Sequence, residues 1–285
     1  MSVEPRLGRV QCASGAGLHR MAYREWGDPA NPDVLVCVHG LTRCARDFDS
    51  LARALCDRYR VVCPDVAGRG GSDWLANPML YGVPQYVSDM VTLIARLNVE
   101  RVHWVGTSMG GLIGIALASL KDSPIERMVL NEAGAVVARA AIERIGKYVG
   151  ADPRFASLED AERVVRTNAA PFGPHSDAEW RFLTEVVMRK QPDGSYRFHY
   201  DPKIAVPFRT EYPDKDVELW PAWDAIRCAT LVIRGAQSDL LSRETAEAMT
   251  RRGPKAKLVE LPGIGHAPTL MHADQIAIVR EFLLG

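Results

Sequence analysis

Three kinds of side chain in this sequence could together make a hydroxyl group nucleophilic. The segment Gly106-Thr107-Ser108-Met109-Gly110 joins a short apolar stretch (Val102, Trp104, Val105) to the apolar body of a helix (Leu112, Ile113, Ile115, Ala116, Leu117, Ala118). A serine in such a strand-to-helix turn sits in a strained backbone conformation with its hydroxyl pushed outward. Glycines on both sides remove the Cβ atoms that would strike the closely packed strand and helix. The same residue also fits a plain helix cap that satisfies free amides, and the difference lies in whether the rest of the chain supplies a base.

A hydroxyl is a weak nucleophile at neutral pH and needs a base within hydrogen-bond reach. His266 is the best-placed imidazole, in the loop Pro262-Gly263-Ile264-Gly265-His266-Ala267-Pro268 directly after a strand-like stretch at 257–261. His272 begins the next helix and is its rival, whereas His103 lies inside a strand, His19 in an early hairpin, and His175 and His199 in a segment without strand rhythm. The base in turn needs a carboxylate to fix its tautomer and stabilise the imidazolium. Asp239, a few residues past the strand at 230–235, is the expected acid, and Glu132, past the strand at 127–130, is the alternative. Acyl transfer also requires donors for a developing oxyanion, and the amide of Met109, at a helix N-terminus, is suited to that task.

The elements that would carry these groups alternate. A hairpin at 10–27 precedes strands at 34–38, 60–64, 102–105 and 127–130, with helical spacing between them at 48–55, 86–97 and 112–118. Right-handed crossovers then give a doubly wound, mostly parallel sheet whose functional groups collect at the carboxyl ends of its strands. Between 135 and 220 the rhythm stops: helix-like stretches at 140–148, 158–168 and 177–188 are broken by Pro171 and Pro174. That length exceeds a simple crossover, so a mostly helical insertion (135–220) over the catalytic edge is expected, leaving 1–134 and 221–285 as the core domain. A second domain remote from the site is the other reading.

The 285 residues are enough for a substantial core, and 35 basic residues balance 35 acidic ones, so no pull towards nucleic acid or an anionic membrane is expected. No apolar run reaches the length of a membrane span, and the first ten residues lack the apolar stretch of a secretory signal, which together predict a cytoplasmic protein. The six cysteines form no C-x-x-C pair, and Cys37, Cys63 and Cys228 lie in or beside strands, where a reduced thiol behaves as a small hydrophobe. The histidines show no metal-ligand spacing, so neither metal nor cofactor is expected. The loop Asp65-Val66-Ala67-Gly68-Arg69-Gly70-Gly71-Ser72 is rich in glycine, yet no Lys-Ser/Thr follows it and Asp73-Trp74 opens no helix. A structural wall is expected there rather than a phosphate cradle.

The order Ser108, Asp239, His266, with His39-Gly40 closing an apolar strand, resembles the α/β-hydrolase superfamily over nearly the whole chain. The resemblance implies a mostly parallel eight-stranded sheet flanked by helices, with a helical cap. It further implies Leu41 as the second oxyanion donor and hydrolysis of a small-molecule carboxylic ester through an acyl-enzyme. Arg43 either binds a substrate carboxylate or braces its loop. The insertion supplies an acyl pocket from Phe155, Phe172, Trp180, Phe182 or Leu183, with Trp180 the candidate contact, or else these residues are its own core. Epoxide hydrolases and haloalkane dehalogenases of this fold carry aspartate where this chain has Ser108. Carbon–carbon bond hydrolases of ring-cleavage products use serine, but they share a glycine-rich loop after His-Gly and a tryptophan after the histidine, where this chain has Leu41-Thr42-Arg43 and Ala267. A cofactor-free perhydrolase or acyltransferase would share the triad, and a ligand receptor on the same fold would bind tightly and turn over slowly.

Overall fold

The computed structural model describes residues 4–210 and 214–285; residues 1–3, part of the stretch read above for a secretory signal, lie outside it. A hairpin of β1 (Arg6–Ser14) and β2 (Gly17–Trp26) leads into β3 (Val34–Val38), β4 (Arg60–Pro64), β5 (Val102–Thr107) and β6 (Ile125–Asn131). The strands Ala229–Gly235 and Lys257–Leu261 complete an eight-stranded sheet in the order β1-β2-β4-β3-β5-β6, then 229–235, then 257–261. Pairing is parallel from β4 to the far edge, and the hairpin attaches antiparallel through β2. This is the α/β-hydrolase fold.

The apolar runs are continuous because both faces of the sheet are covered. Along β3, Val34, Val36 and Val38 face a layer containing Met90, Leu93, Ile113 and Trp223, while Leu35 and Cys37 face Phe48, Leu51, Leu55, Val279 and Phe282. The first layer comes from α2 (Val83–Leu97), α3 (Met109–Ala118) and the short helix Trp220–Ala225, the second from the turn Ala45–Phe48, α1 (Asp49–Leu55) and the terminal helix Ala273–Leu284. Burial of such side chains contributes about 1.5–3 kcal/mol each, which fixes strand register before any polar group acts. All six cysteines are free thiols.

The described residues of 136–219 contribute no strand to this sheet. They form helices Arg139–Tyr148, Leu158–Asn168, Asp177–Glu185 and Val206–Thr210 and two small antiparallel pairs, Val136–Val137 with Val217–Glu218 and Met188–Lys190 with Tyr196–Phe198. Apolar side chains of the insertion pack on Cys44 and Met271 of the sheet-bearing part. Among the described residues no helix is long and apolar enough to cross a membrane.

The histidines' sequence spacing gave no hint of a buried trio that the fold creates. Cys12 and His19 are cross-strand partners, and α2 brings Asp89 to within 3.0 Å of His19 Nε2. Burial, with the Asp89 charge adding to it, pushes the Cys12 thiol up to about 12, so it packs as a neutral hydrophobe.

The sheet and the Ser108 turn are locked by glycine. A Cβ on Gly110 would overlap the Val38 carbonyl oxygen, and one on Gly106 would overlap the Gly110 carbonyl. The backbones of β3, β5 and α3 therefore approach as only glycine permits. Gly110→Ala is expected to destabilise the protein by about 1–3 kcal/mol or more. Gly15→Ala, where an added Cβ meets nothing within 4 Å, should leave stability near wild type. Urea unfolding of both variants measures the difference; equal midpoints would show that the close approach is dispensable.

Candidate active site

Register places the ends of β3, β5, β6 and 229–235 side by side. Val38 pairs with Gly106, Thr107 with Asn131, and Asn131 with Ile233. The ladder continues one step past the strands: Ser108 N–H donates to the Asn131 carbonyl (2.9 Å) and Glu132 N–H to the Ile233 carbonyl (2.9 Å). Both Ser108 (φ 50°) and Glu132 (φ 58°) occupy the left-handed half of backbone space that non-glycine residues seldom adopt. The two turns are thus strained at adjacent strand ends, and each lifts its side chain over the sheet edge.

The carboxylate that meets His266 is that of Glu132. His266 Nδ1 lies 3.1 Å from Glu132 Oε2, and the carboxylate is fully buried. Gly235 N–H donates to Oε1 (2.6 Å) and the Ser238 hydroxyl to Oε2 (2.5 Å), so the buried charge is met by donors on both oxygens. The Asn131 side-chain amide donates to the Pro268 carbonyl (2.8 Å) and to Thr107 Oγ1 (3.0 Å), tying the His266 loop to β6 and β5. Asp239, expected as the acid, is instead half exposed and forms an ion pair with Arg144 of the insertion (2.9 Å). In the turn after Gly235, Ser238 faces inward to the carboxylate and Asp239 faces solvent.

Ser108 and Glu132 line one cavity of about 330 Å³, within the usual range for small-molecule sites. Its wall is otherwise apolar, formed by Leu112 and Ile115 of α3, Val137, Ile142 and Ile145 of the insertion, and Leu240, with the rings of Tyr81 and Tyr86 beside them. Leu41 and Met109, the two expected oxyanion donors, line it as well. Met109 is the first residue of α3, where a backbone N–H has no partner within the helix.

The model of the "Alpha/beta hydrolase family" matches residues 35–279 of this chain. The chain belongs to that family. A 3-hydroxybutyrate-oligomer hydrolase of Cupriavidus necator is 56% identical to it along the full length of both chains. Among solved structures, a putative hydrolase from Rickettsia typhi superposes with a TM-score of 0.92 at 32% identity, covering 98% of this chain and 99% of its own. An α/β hydrolase from Novosphingobium aromaticivorans superposes with a TM-score of 0.87 at 38% identity, covering 99% of both. This member of the family is a hydrolase.

Two further candidate residues of the hydrolase do not line the cavity. Arg43 is committed to Asp47, with Nε and one terminal nitrogen on the two carboxylate oxygens (2.8 and 2.7 Å), and it also donates to the Leu183 carbonyl (3.3 Å). It braces the loop against the insertion, the second of the two roles read for it. Trp180 packs with Ala169, Leu183 and Phe172 and lines no part of the cavity. An amphipathic helix buries its apolar stripe wherever it packs, so those aromatics became the insertion's own core.

His39 holds the loop that carries Leu41. Its Nε2 accepts the Val66 N–H (3.0 Å), which leaves the proton on Nδ1 to donate to the Gly40 carbonyl (2.7 Å). That carbonyl and the Leu41 N–H belong to one peptide group, so a bond to the first polarises the second. A Cβ built on Gly40 would lie 3.8 Å from the Ser108 Cβ, which places this peptide beside the nucleophile candidate. Sequence reasoning noted His39 only as the end of an apolar strand and gave Asn131 and Ser238 no part; the one signal near the latter two was Glu132, read as the alternative acid past the strand at 127–130.

Burial pushes the His39 imidazole down to about 3. His199, whose Nδ1 accepts the Gly70 N–H (2.6 Å), is likewise pushed down to about 3 by burial and by the Arg43, Arg189 and Arg69 charges. Both bind a proton more readily unfolded than folded, so their contribution is complete above the ordinary histidine value and is lost as pH falls from there towards 3. Stability should drop by about 2 kcal/mol per histidine between pH 7 and pH 5. Asp65 and Asp89, raised by burial, act in the opposite sense only near and above the ordinary carboxylate range. Urea midpoints across that interval are expected to fall, and less steeply in His39→Gln; a midpoint that is flat or rises on acidification would contradict the buried neutral state.

Proposed function

We propose that the protein is a serine carboxylic ester hydrolase of short 3-hydroxybutyrate oligomers, with Ser108 as nucleophile, His266 as base and Glu132 as the acid that orients it. The observation that carries the reading is that Ser108 opens into the same apolar cavity as the buried carboxylate to which His266 is hydrogen-bonded. His266 takes the Ser108 proton, and the alkoxide attacks the ester carbonyl. The oxyanion rests on the Leu41 and Met109 amides, and the alcohol leaves with the proton from His266. Water, activated by the same imidazole, then hydrolyses the acyl-enzyme. The insertion acts as a cap whose Val137, Ile142 and Ile145 close the acyl side.

The apolar wall supports an uncharged acyl unit, and the full-length likeness to the 3-hydroxybutyrate-oligomer hydrolase supports the substrate class. An internal unit of such an oligomer is uncharged, carrying only a methyl branch and ester groups, while its terminal carboxylate remains outside. The wall agrees less well with a ring-cleavage product bearing a carboxylate beside the scissile bond, because Arg43 is already paired with Asp47.

Ser108→Ala should lower kcat for 3-hydroxybutyrate dimer and trimer, and for p-nitrophenyl butyrate, by roughly 10⁶-fold with unchanged thermal unfolding. Glu132→Gln should lower kcat by roughly 10⁴-fold, as loss of the orienting acid does in serine triads, and Asp239→Asn should stay near wild type. Retained turnover in Ser108→Ala would remove the nucleophile assignment. Severe loss in Asp239→Asn with normal turnover in Glu132→Gln would return the acid to position 239.

A further inference from the structure

Arg69 is completely buried, although it carries a permanent charge. Burying such a charge is unfavourable by several kcal/mol unless something compensates it. Its hydrogen-bond partners are all neutral. Nε donates to the Leu41 carbonyl (2.8 Å), one terminal nitrogen donates to the Ala67 carbonyl (2.7 Å) and the Tyr86 hydroxyl (2.8 Å), and the other points at Met109 Sδ (3.6 Å). The guanidinium also lies over the rings of Tyr81 and Tyr86, at 5.7 and 5.3 Å from their centroids. Among the described residues no carboxylate forms an ion pair with it, and the Asp201 carboxylate stands behind the Tyr81 hydroxyl, which donates to it (2.7 Å).

The loop is built to put this side chain there. Gly68 and Gly70 both have positive φ, and turn bonds Arg69 N–H to Val66 carbonyl (3.0 Å) and Ser72 N–H to Arg69 carbonyl (3.0 Å) close the loop around it. The Asp65 carboxylate accepts the Ala45 and Gly71 amides (2.8 and 2.9 Å), and His199 accepts that of Gly70. The one carboxylate in this loop is thus taken up by backbone amides, while its one cation is directed at Leu41 and Met109.

We propose that Arg69 is the positioning residue of the oxyanion site. It clamps Leu41 through its carbonyl and Met109 through its sulfur, and it holds an unneutralised positive charge behind both donors. This rests on the serine-hydrolase reading above. A fixed positive charge in a water-poor site acts most on the state that bears new negative charge, so its effect belongs to the transition state rather than to ester binding.

The test uses the full-length protein, p-nitrophenyl butyrate, a trifluoromethyl ketone that forms a tetrahedral oxyanion on serine, and butyramide as an uncharged ground-state ligand. Arg69→Met is expected to lose about 10²-fold in kcat, the scale of a lost oxyanion donor, with KM and butyramide affinity close to wild type. Ketone affinity should weaken in parallel with kcat. Arg69→Lys, which keeps the charge but cannot span the same partners, should fall between the two. Wild-type kcat and ketone affinity in either folded variant would overturn the proposal, as would a loss of butyramide affinity equal to the loss of kcat. If Arg69→Met does not fold, the lysine variant alone decides by the same comparison. Failure of the wild-type enzyme to react covalently with the ketone, or turnover in Ser108→Ala, would instead strike the serine-hydrolase reading itself.

Discussion

The buried carboxylate of Glu132 is the constraint around which the working edge of the molecule is arranged. A charge with no solvent access is tolerated only if donors meet it from fixed directions. Here the donors come from two segments, each more than 100 residues from Glu132 in sequence: the Gly235 amide and the Ser238 hydroxyl of one turn, and the His266 ring of a later loop. Satisfying one side chain therefore fixes the end of β6, the turn after the strand 229–235 and the loop after 257–261 relative to one another. Asn131, the residue before it, adds the bond to the Pro268 carbonyl and closes the circuit from the other side. The geometry of the imidazole is in this sense a by-product of burying an anion correctly.

Much of this edge was legible in the sequence because it follows from periodicity and from glycine. The β5 strand, the Ser108 turn and α3 are specified by a run of apolar residues interrupted where only glycine allows the backbones to meet. His266 was legible because a glycine-containing loop after a terminal strand offers few other places for an imidazole. Which carboxylate would meet that imidazole was not, for a definite reason. Glu132 and Asp239 each follow a strand by a short turn, and local sequence does not say which way a turn side chain faces. The outcome was decided by a neighbour, Ser238, whose hydroxyl faces inward and leaves Asp239 to pair with Arg144 at the surface. Trp180 was illegible for a related reason, because an aromatic residue on an amphipathic helix reads the same whether it lines a cavity or fills the helix's own core.

In the loop Asp65–Ser72 the glycines turn the backbone around a buried cation. Its Asp65 carboxylate occupies the amides of Ala45 and Gly71, groups that an anion would otherwise seek. What the glycines permit is the inward path of Arg69 and the approach of Val66 to His39. His39 then acts as a relay made of hydrogen bonds alone: it receives the Val66 amide and gives its own proton to the peptide group that ends in the Leu41 N–H. Its depressed proton affinity is what keeps the relay in one sense, since a second ring proton would face the Val66 N–H.

Two buried side chains of opposite charge thus bear on the cavity that Ser108 lines, Glu132 just past β6 and Arg69, through Leu41 and Met109, from the loop after β4. Glu132 stands behind the imidazole, where positive charge would develop as the serine proton moves; Arg69 stands behind Leu41 and Met109, where negative charge would develop on the substrate oxygen. In water such charges would be screened and would reorient, but here both are held in place by hydrogen bonds to the backbone and to neighbouring side chains. The separation of charge that hydrolysis demands would then run along a field already present in the resting protein. The apolar cavity between them adds to this by excluding solvent dipoles that would oppose it. An eight-stranded sheet with its carboxyl ends on one side suits the arrangement, because adjacent strand ends offer fixed points a few ångströms apart for groups of opposite charge.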